Sequence, residues 1–127
     1  MKSSDLHNFL QSPKNGVQFK RAIQPAIPEF HRGLAEHGRS LPVQIEDQGK
    51  NFDVTVENLK NLCSWFLAGT IDAVELEYAA NLLELSDDFS YPKNIADELF
   101  ILGTPDINGA LNHESVRNVL KRLSGAA

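Results

Sequence analysis

The chain predicts a mainly α-helical fold, a bundle of five to seven helices. Three observations carry this. Apolar residues recur at spacings of three and four over residues 55–123, capping residues stand where those segments start, and glycines stand where they stop. The length of 127 residues suits a single domain, with residues 1–54 as N-terminal helices and connector and 55–123 as two helix–loop–helix units.

Residues 3–11 read as a short helix with Ser3 or Ser4 as N-cap and Leu6, Phe9 and Leu10 on one side. Pro13 and Asn15-Gly16 break it. Residues 17–37 keep a helical period through Val17, Phe19, Ile23, Ile27, Phe30 and Leu34. Pro25 and Pro28 divide that stretch into helices at about 17–24 and 26–37, or kink one helix. Leu41 to Glu46 alternates apolar and polar, Asp47-Gln48-Gly49-Lys50 reads as a turn, and Asn51 to Thr55 alternates again. This predicts either a small β-hairpin over 41–55 or an extended connector.

Thr55 caps the next helix, whose stripe is Val56, Leu59, Leu62, Cys63, Phe66 and Leu67, and Gly69 ends it. Asp72-Ala73-Val74-Glu75 has the spacing of a capping box and opens helix 73–85. Ser90 and Pro92 open helix 92–102, read with Ile95, Ala96, Leu99, Phe100 and Leu102 as its apolar side and Gly103 as its stop. Asn112 caps a last helix, 113–123. The two units form a weak repeat, with Gly69-Thr70-Ile71 answering Gly109-Ala110-Leu111.

Composition bounds function. Hydrophobic residues make up 42% and charged residues 23%, which is ordinary for a globular protein. No apolar run reaches the roughly 18 residues of a membrane span. The N-terminal segment lacks the apolar centre of a signal peptide, so a cytoplasmic location without membrane contact is expected. The single cysteine, Cys63, excludes an intrachain disulfide and a cysteine zinc cage. The net charge of −5 is uneven: residues 1–50 hold seven Lys/Arg against five acids, and residues 68–127 hold ten acids against four bases. An acidic surface repels nucleic acid and steers basic partners.

No cofactor, metal or catalytic constellation is readable. Asp106-Ile107-Asn108-Gly109 resembles the middle of an EF-hand loop, but Ser115 stands where the bidentate carboxylate belongs. His7, His31, His37 and His113 have no ligand spacing, and Cys63 lies on an apolar stripe. The protein is therefore expected not to be an enzyme.

The remaining feature is acidic. Glu77, Asn81, Glu84 and Asp88, at spacings of four, three and four, put one polar stripe on helix 73–85 and its edge. Glu75, Asp87 and Asp97 add charge nearby, and Tyr78, Tyr91 and Trp65 are candidate aromatic anchors. The expected partner-binding residues are thus Glu75, Glu77, Tyr78, Glu84, Asp87, Asp88 and Asp97, facing a basic protein.

The run from Leu62 to Tyr78, LCSWFLAGTIDAVELEY, resembles small bacterial immunity proteins of the colicin D immunity type. That resemblance implies an all-helical acidic protein that neutralises a nuclease toxin by covering its active site. Two other readings remain open. One is a degenerate EF-hand-like or other helical interaction module. The other is a small helix-turn-helix regulator, supported by Arg117, Lys121 and Arg122.

Overall fold

A computed structural model describes residues 1–35 and 45–125. Its elements are α1 (Ser3–Phe9), α2 (Gly16–Ile23), α3 (Ile27–Ala35), β1 (Phe52–Asp53), α4 (Val56–Leu67), α5 (Ala73–Leu85), β2 (Phe89–Ser90), α6 (Lys93–Gly103), α7 (Pro105–Asn108) and α8 (His113–Gly125). The protein is mainly all-α. Seven of the described helices have seven residues or more, and α7 is a single turn.

The longest helices start as their caps dictate. Thr55 Oγ1 accepts from the Asn58 N–H at 3.1 Å, and Asn58 Oδ1 accepts from the Thr55 N–H at 3.0 Å. Asp72 and Glu75 exchange the same pair of bonds at 2.8 Å each. Asn112 and Ser115 do so at 2.8 and 3.0 Å. Each exchange satisfies donors that the first turn leaves without partners. Gly69, at φ +79°, ends α4, and its N–H donates to the Phe66 carbonyl. Gly109, at φ +102°, ends α7. Both positions need the left-handed backbone that glycine adopts without a Cβ penalty.

Three expectations change. Neither Ser3 nor Ser4 caps α1 with its side chain; Lys2 holds the cap position. Ser3 is buried and donates its hydroxyl to Asp88 Oδ2 at 2.6 Å, while the Ser4 N–H donates to Gln48 Oε1 at 2.9 Å. The hairpin is also replaced. β1 pairs in parallel with β2, Phe52 opposite Phe89 and Asp53 opposite Ser90, and Glu46 bridges to Lys2. Residues 41–44 of the expected first strand lie outside the described residues. The third change is at Gly103, which is the last residue of α6 and has no positive φ. It is buried against α5 instead.

The division at Pro25 and Pro28 is as expected. A 3-10 turn over 24–26 separates α2 from α3. The repeat, by contrast, is only approximate. Residues 68–72 make a tight turn, whereas the second loop contains α7, and no backbone hydrogen bond joins the two loops among the described residues.

α5 packs most extensively on α6 and also touches α3 and α4, while α4 packs on α8. Leu59, Leu62, Leu76, Leu82, Leu83, Leu99, Leu102, Val116 and Val119 have no solvent exposure. Leu6, Leu10, Phe19, Ile23 and Phe30 belong to the same buried cluster. The N-terminal helices are fixed to α4 by polar bonds too. Asn58 and Asn61 both donate to the Leu10 carbonyl, and Trp65 Nε1 donates to the Pro13 carbonyl at 2.9 Å.

Candidate partner-binding face

α5 is the central helix, and that decides the fate of the acidic stripe. Its apolar residues Leu76, Tyr78, Ala79, Ala80, Leu82 and Leu83 cover more than half of its circumference, and all are buried. The remaining side, which carries Glu77, Asn81 and Glu84, is turned toward the end of α6, where Asn81 bonds the Gly103 carbonyl. Of the seven expected contact residues, Glu75, Glu77, Tyr78 and Asp88 are buried inside the chain, and Glu84, Asp87 and Asp97 are exposed. The expectation of one exposed stripe is corrected accordingly.

Each buried member has a place in the fold. Glu75 closes the α5 capping box and pairs with Lys20 Nζ at 2.8 Å, joining α2 to α5. Tyr78 packs edge-on against Phe30 of α3, ring centroids 5.0 Å apart. Asp88 gathers three segments: its carboxylate accepts from the Ser3 hydroxyl, the Gln48 N–H and the Lys50 N–H. Asp47 returns the contact by accepting from the Ser86 hydroxyl and the Asp87 N–H. This double clasp lays residues 45–53 beside 86–90 and explains the parallel β1–β2 pair.

The Gln48 backbone N–H, then the Ser3 hydroxyl, hold the Asp88 carboxyl below its usual range. A depressed carboxylate stabilises the fold above its unfolded-state pKa, and the gain is lost as pH falls through the folded value. The stability of Asp88→Asn should therefore depend less on pH below about 4 than that of the parent. Urea unfolding at a series of acid pH values checks this; equal acid slopes would show that Asp88 is not held as described.

Glu77, Asn81 and Glu84 face the end of α6. Asn81 Nδ2 donates to the Glu77 carbonyl at 2.9 Å and to the Gly103 carbonyl at 3.2 Å. A Cβ on Gly103 would stand 2.5 Å from Glu84 Oε1, so the missing side chain is what admits the Glu84 carboxylate. Partial desolvation against Gly103 raises the Glu84 carboxyl although the residue is exposed overall, and partial burial followed by the nearby Glu84 charge raises the Tyr91 hydroxyl. Glu77 is 6% exposed. Burial, followed by the charge of Asp106, pushes its carboxyl up to about 7.

A raised carboxyl has the opposite sign to Asp88. Its ionisation costs stability, and the cost grows as pH rises from the unfolded value near 4.3 to about 7. Glu77→Gln should match the parent at pH 4 and be the more stable of the two at pH 8. Thermal melts at both values test this; a variant less stable than the parent at pH 8 contradicts it.

Two exposed acids, Asp97 and Asp106, share α6 and α7 with two exposed apolar residues, Phe100 and Ile107. Lys93, Asp97 and Phe100 follow at spacings of four and three, which puts them on one face of α6, and Thr104 follows at its end. Phe100 is 46% exposed, so it does not belong to the buried side formed by Ile95, Leu99 and Leu102. Its neighbours on that wheel are polar, a signal the sequence already carried. The Asn108 side chain donates to Thr104 Oγ1 at 2.7 Å and reaches the Phe100 carbonyl at 3.5 Å, drawing α7 back onto this face. Ile107 of α7 is 70% exposed, beside exposed Asp106. Asp97 carries an exposed pairing with Lys93 at 3.1 Å, of a kind worth little in water. The expected anchors Trp65 and Tyr78 are buried, and Tyr91 is partly so.

Other candidate chemistry is structural here. Burial, then the charge of Glu98, pushes the Cys63 thiol up to about 12, far from a thiolate at neutral pH. Glu98 is itself buried and receives Arg122 through both Nε and an Nη at 2.8–3.0 Å, which raises the guanidinium pKa. Arg122 is thereby withdrawn from the basic group that suggested DNA binding, leaving Arg117 and Lys121. His7 stacks on Phe52, and His113 meets the edge of Phe66. Among the described residues no group of three or more His, Cys, Asp or Glu is placed to hold a metal ion. Nor is any described helix long and apolar enough to cross a membrane.

Protein-family models, characterised proteins and solved structures give no match to this chain. The α6–α7 face therefore stands on its own chemistry.

Proposed function

We propose that the protein is a non-catalytic binding protein whose α6–α7 face docks a basic protein partner. The observation that carries this is the pair of exposed apolar residues, Phe100 and Ile107, set among Asp97 and Asp106. Isolated exposed apolar residues are common on any surface. Here an aromatic and a branched aliphatic stand on adjoining elements, with acids around them. That combination suits a partner with an apolar site rimmed by Lys and Arg, where the acids steer and the apolar pair anchors. The resemblance of residues 62–78 to colicin D immunity proteins makes a bacterial nuclease toxin the partner class proposed, and inhibition by coverage the action.

The test is affinity capture from the source cell with the parent and with Asp97→Lys/Asp106→Lys. Both positions are exposed, so the double variant should fold. A basic protein captured by the parent and lost or much reduced with the variant supports the reading. Equal capture by both forms, or capture of an acidic protein alone, contradicts it. Lysine substitutions at Glu77 and Asp88 are unsuitable for this purpose, because both are buried.

A further inference from the structure

The described residues include four buried carboxylates, Glu75, Glu77, Asp88 and Glu98. Three are matched by donors of the chain itself. Glu75 has Lys20 and the Asp72 N–H, Asp88 has the Ser3 hydroxyl and two backbone N–H groups, and Glu98 has Arg122. Glu77 differs: among the described residues no hydrogen-bond donor and no cation is paired with its carboxylate. The Asn81 amide, one turn further along α5, is engaged by two carbonyls. The charged group acting on Glu77 is another acid, Asp106, from the α7 turn. Yet the carboxylate oxygens are not sealed from water, since no buried side-chain oxygen among the described residues lacks a partner. Buried carboxylates are ordinarily paired, and Glu77 departs from the other three in this.

We propose that the Glu77 carboxylate, with Asp106 beside it, receives one side-chain cation, a lysine ammonium or an arginine guanidinium, from the partner of the α6–α7 face. This rests on the docking reading and makes it more specific. The arriving cation supplies N–H donors to Glu77 and offsets the repulsion from Asp106. Ile107, which follows Asp106 in α7 and is exposed, offers apolar surface for the alkyl stem of a long cationic side chain. Because burial holds the carboxyl up to about 7 in the free protein, part of it is protonated at neutral pH. Binding then releases that proton to the buffer.

Small cations test the site without the partner. The Glu77 carboxyl is titrated by carbon-13 NMR in n-butylammonium or methylguanidinium chloride, and in sodium chloride of equal ionic strength. A cation that binds only the ionised form, at ten times its dissociation constant, lowers the titration midpoint by about one pH unit. The expected result is a lower midpoint in the organic cations than in sodium chloride. Cation-specific shifts should appear at the amides of residues 77–81 and 104–108, lost in Glu77→Gln and kept in Asp87→Asn. Equal midpoints in all three salts, or amide shifts that survive Glu77→Gln, overturn the proposal. If the site fails this test while capture still depends on Asp97 and Asp106, the cation site is wrong and the docking face stands. If the cations bind but capture ignores those residues, the docking reading fails instead.

Discussion

Trp65→Ala is expected to lower the unfolding free energy by about 3–5 kcal/mol, the range for truncating a buried aromatic. Trp65 is 2% exposed and joins α4 to the N-terminal helices in three ways. Its ring stacks on Phe19 with centroids 5.3 Å apart. Its Nε1 donates to the Pro13 carbonyl. It also lies so close to Gly16 that a Cβ there would stand 2.8 Å from Trp65 Cδ1. Alanine removes the packing, opens a cavity and leaves the Pro13 carbonyl without its partner. Total stabilities of about 5–15 kcal/mol make this a large fraction. Urea unfolding monitored by far-ultraviolet circular dichroism should show a much lower midpoint. A loss below about 1 kcal/mol would mean that the N-terminal helices do not depend on this contact.

The second large effect concerns the partner. Phe100→Ala combined with Ile107→Ala should weaken binding at least thirtyfold, since anchoring residues typically contribute 2 kcal/mol or more. The fold should hold, because Ile107 is 70% and Phe100 46% exposed and neither belongs to the buried core. Binding to the captured partner, measured by calorimetry, reads the loss, and unchanged thermal melting of the variant isolates it to the interface. Unchanged affinity would place the anchor elsewhere.

The two effects mark where the sequence was legible. Helix starts could be read because capping is local: Thr55, Asp72 and Asn112 each need only a residue three positions on. The C-terminal glycines Gly69 and Gly109 were readable for the same reason. The β1–β2 pair was not, because its register is set by Asp88, which lies about 40 positions from the amides it holds. Alternation in 41–55 pointed to a local partner, whereas the actual one comes from the far side of α4 and α5.

The acidic residues show the harder limit. Glu75, Glu77, Asp88 and Glu98 look like surface charges by type, and all four are buried. Glu98 shares the helix side of Ile95, Leu99 and Leu102, so its burial could be inferred from spacing. Its partner Arg122 could not, since it comes from another helix 24 positions away. α5 gave a usable sign as well. Its apolar residues cover more than half of the helix, which argues for a central position, whereas the cover of the polar side depends on where α6 ends. Phe100 stands about 100° round the helix from Leu99, outside the side of Ile95, Leu99 and Leu102, so its exposure follows from the spacing.

Hydrogen–deuterium exchange of the protein with and without its captured basic partner tests the central claim most directly. New protection is predicted over residues 97–108, spanning the outer face of α6 and all of α7. Protection confined to the basic N-terminal helices α2 and α3, with residues 97–108 exchanging as in the free protein, would contradict it.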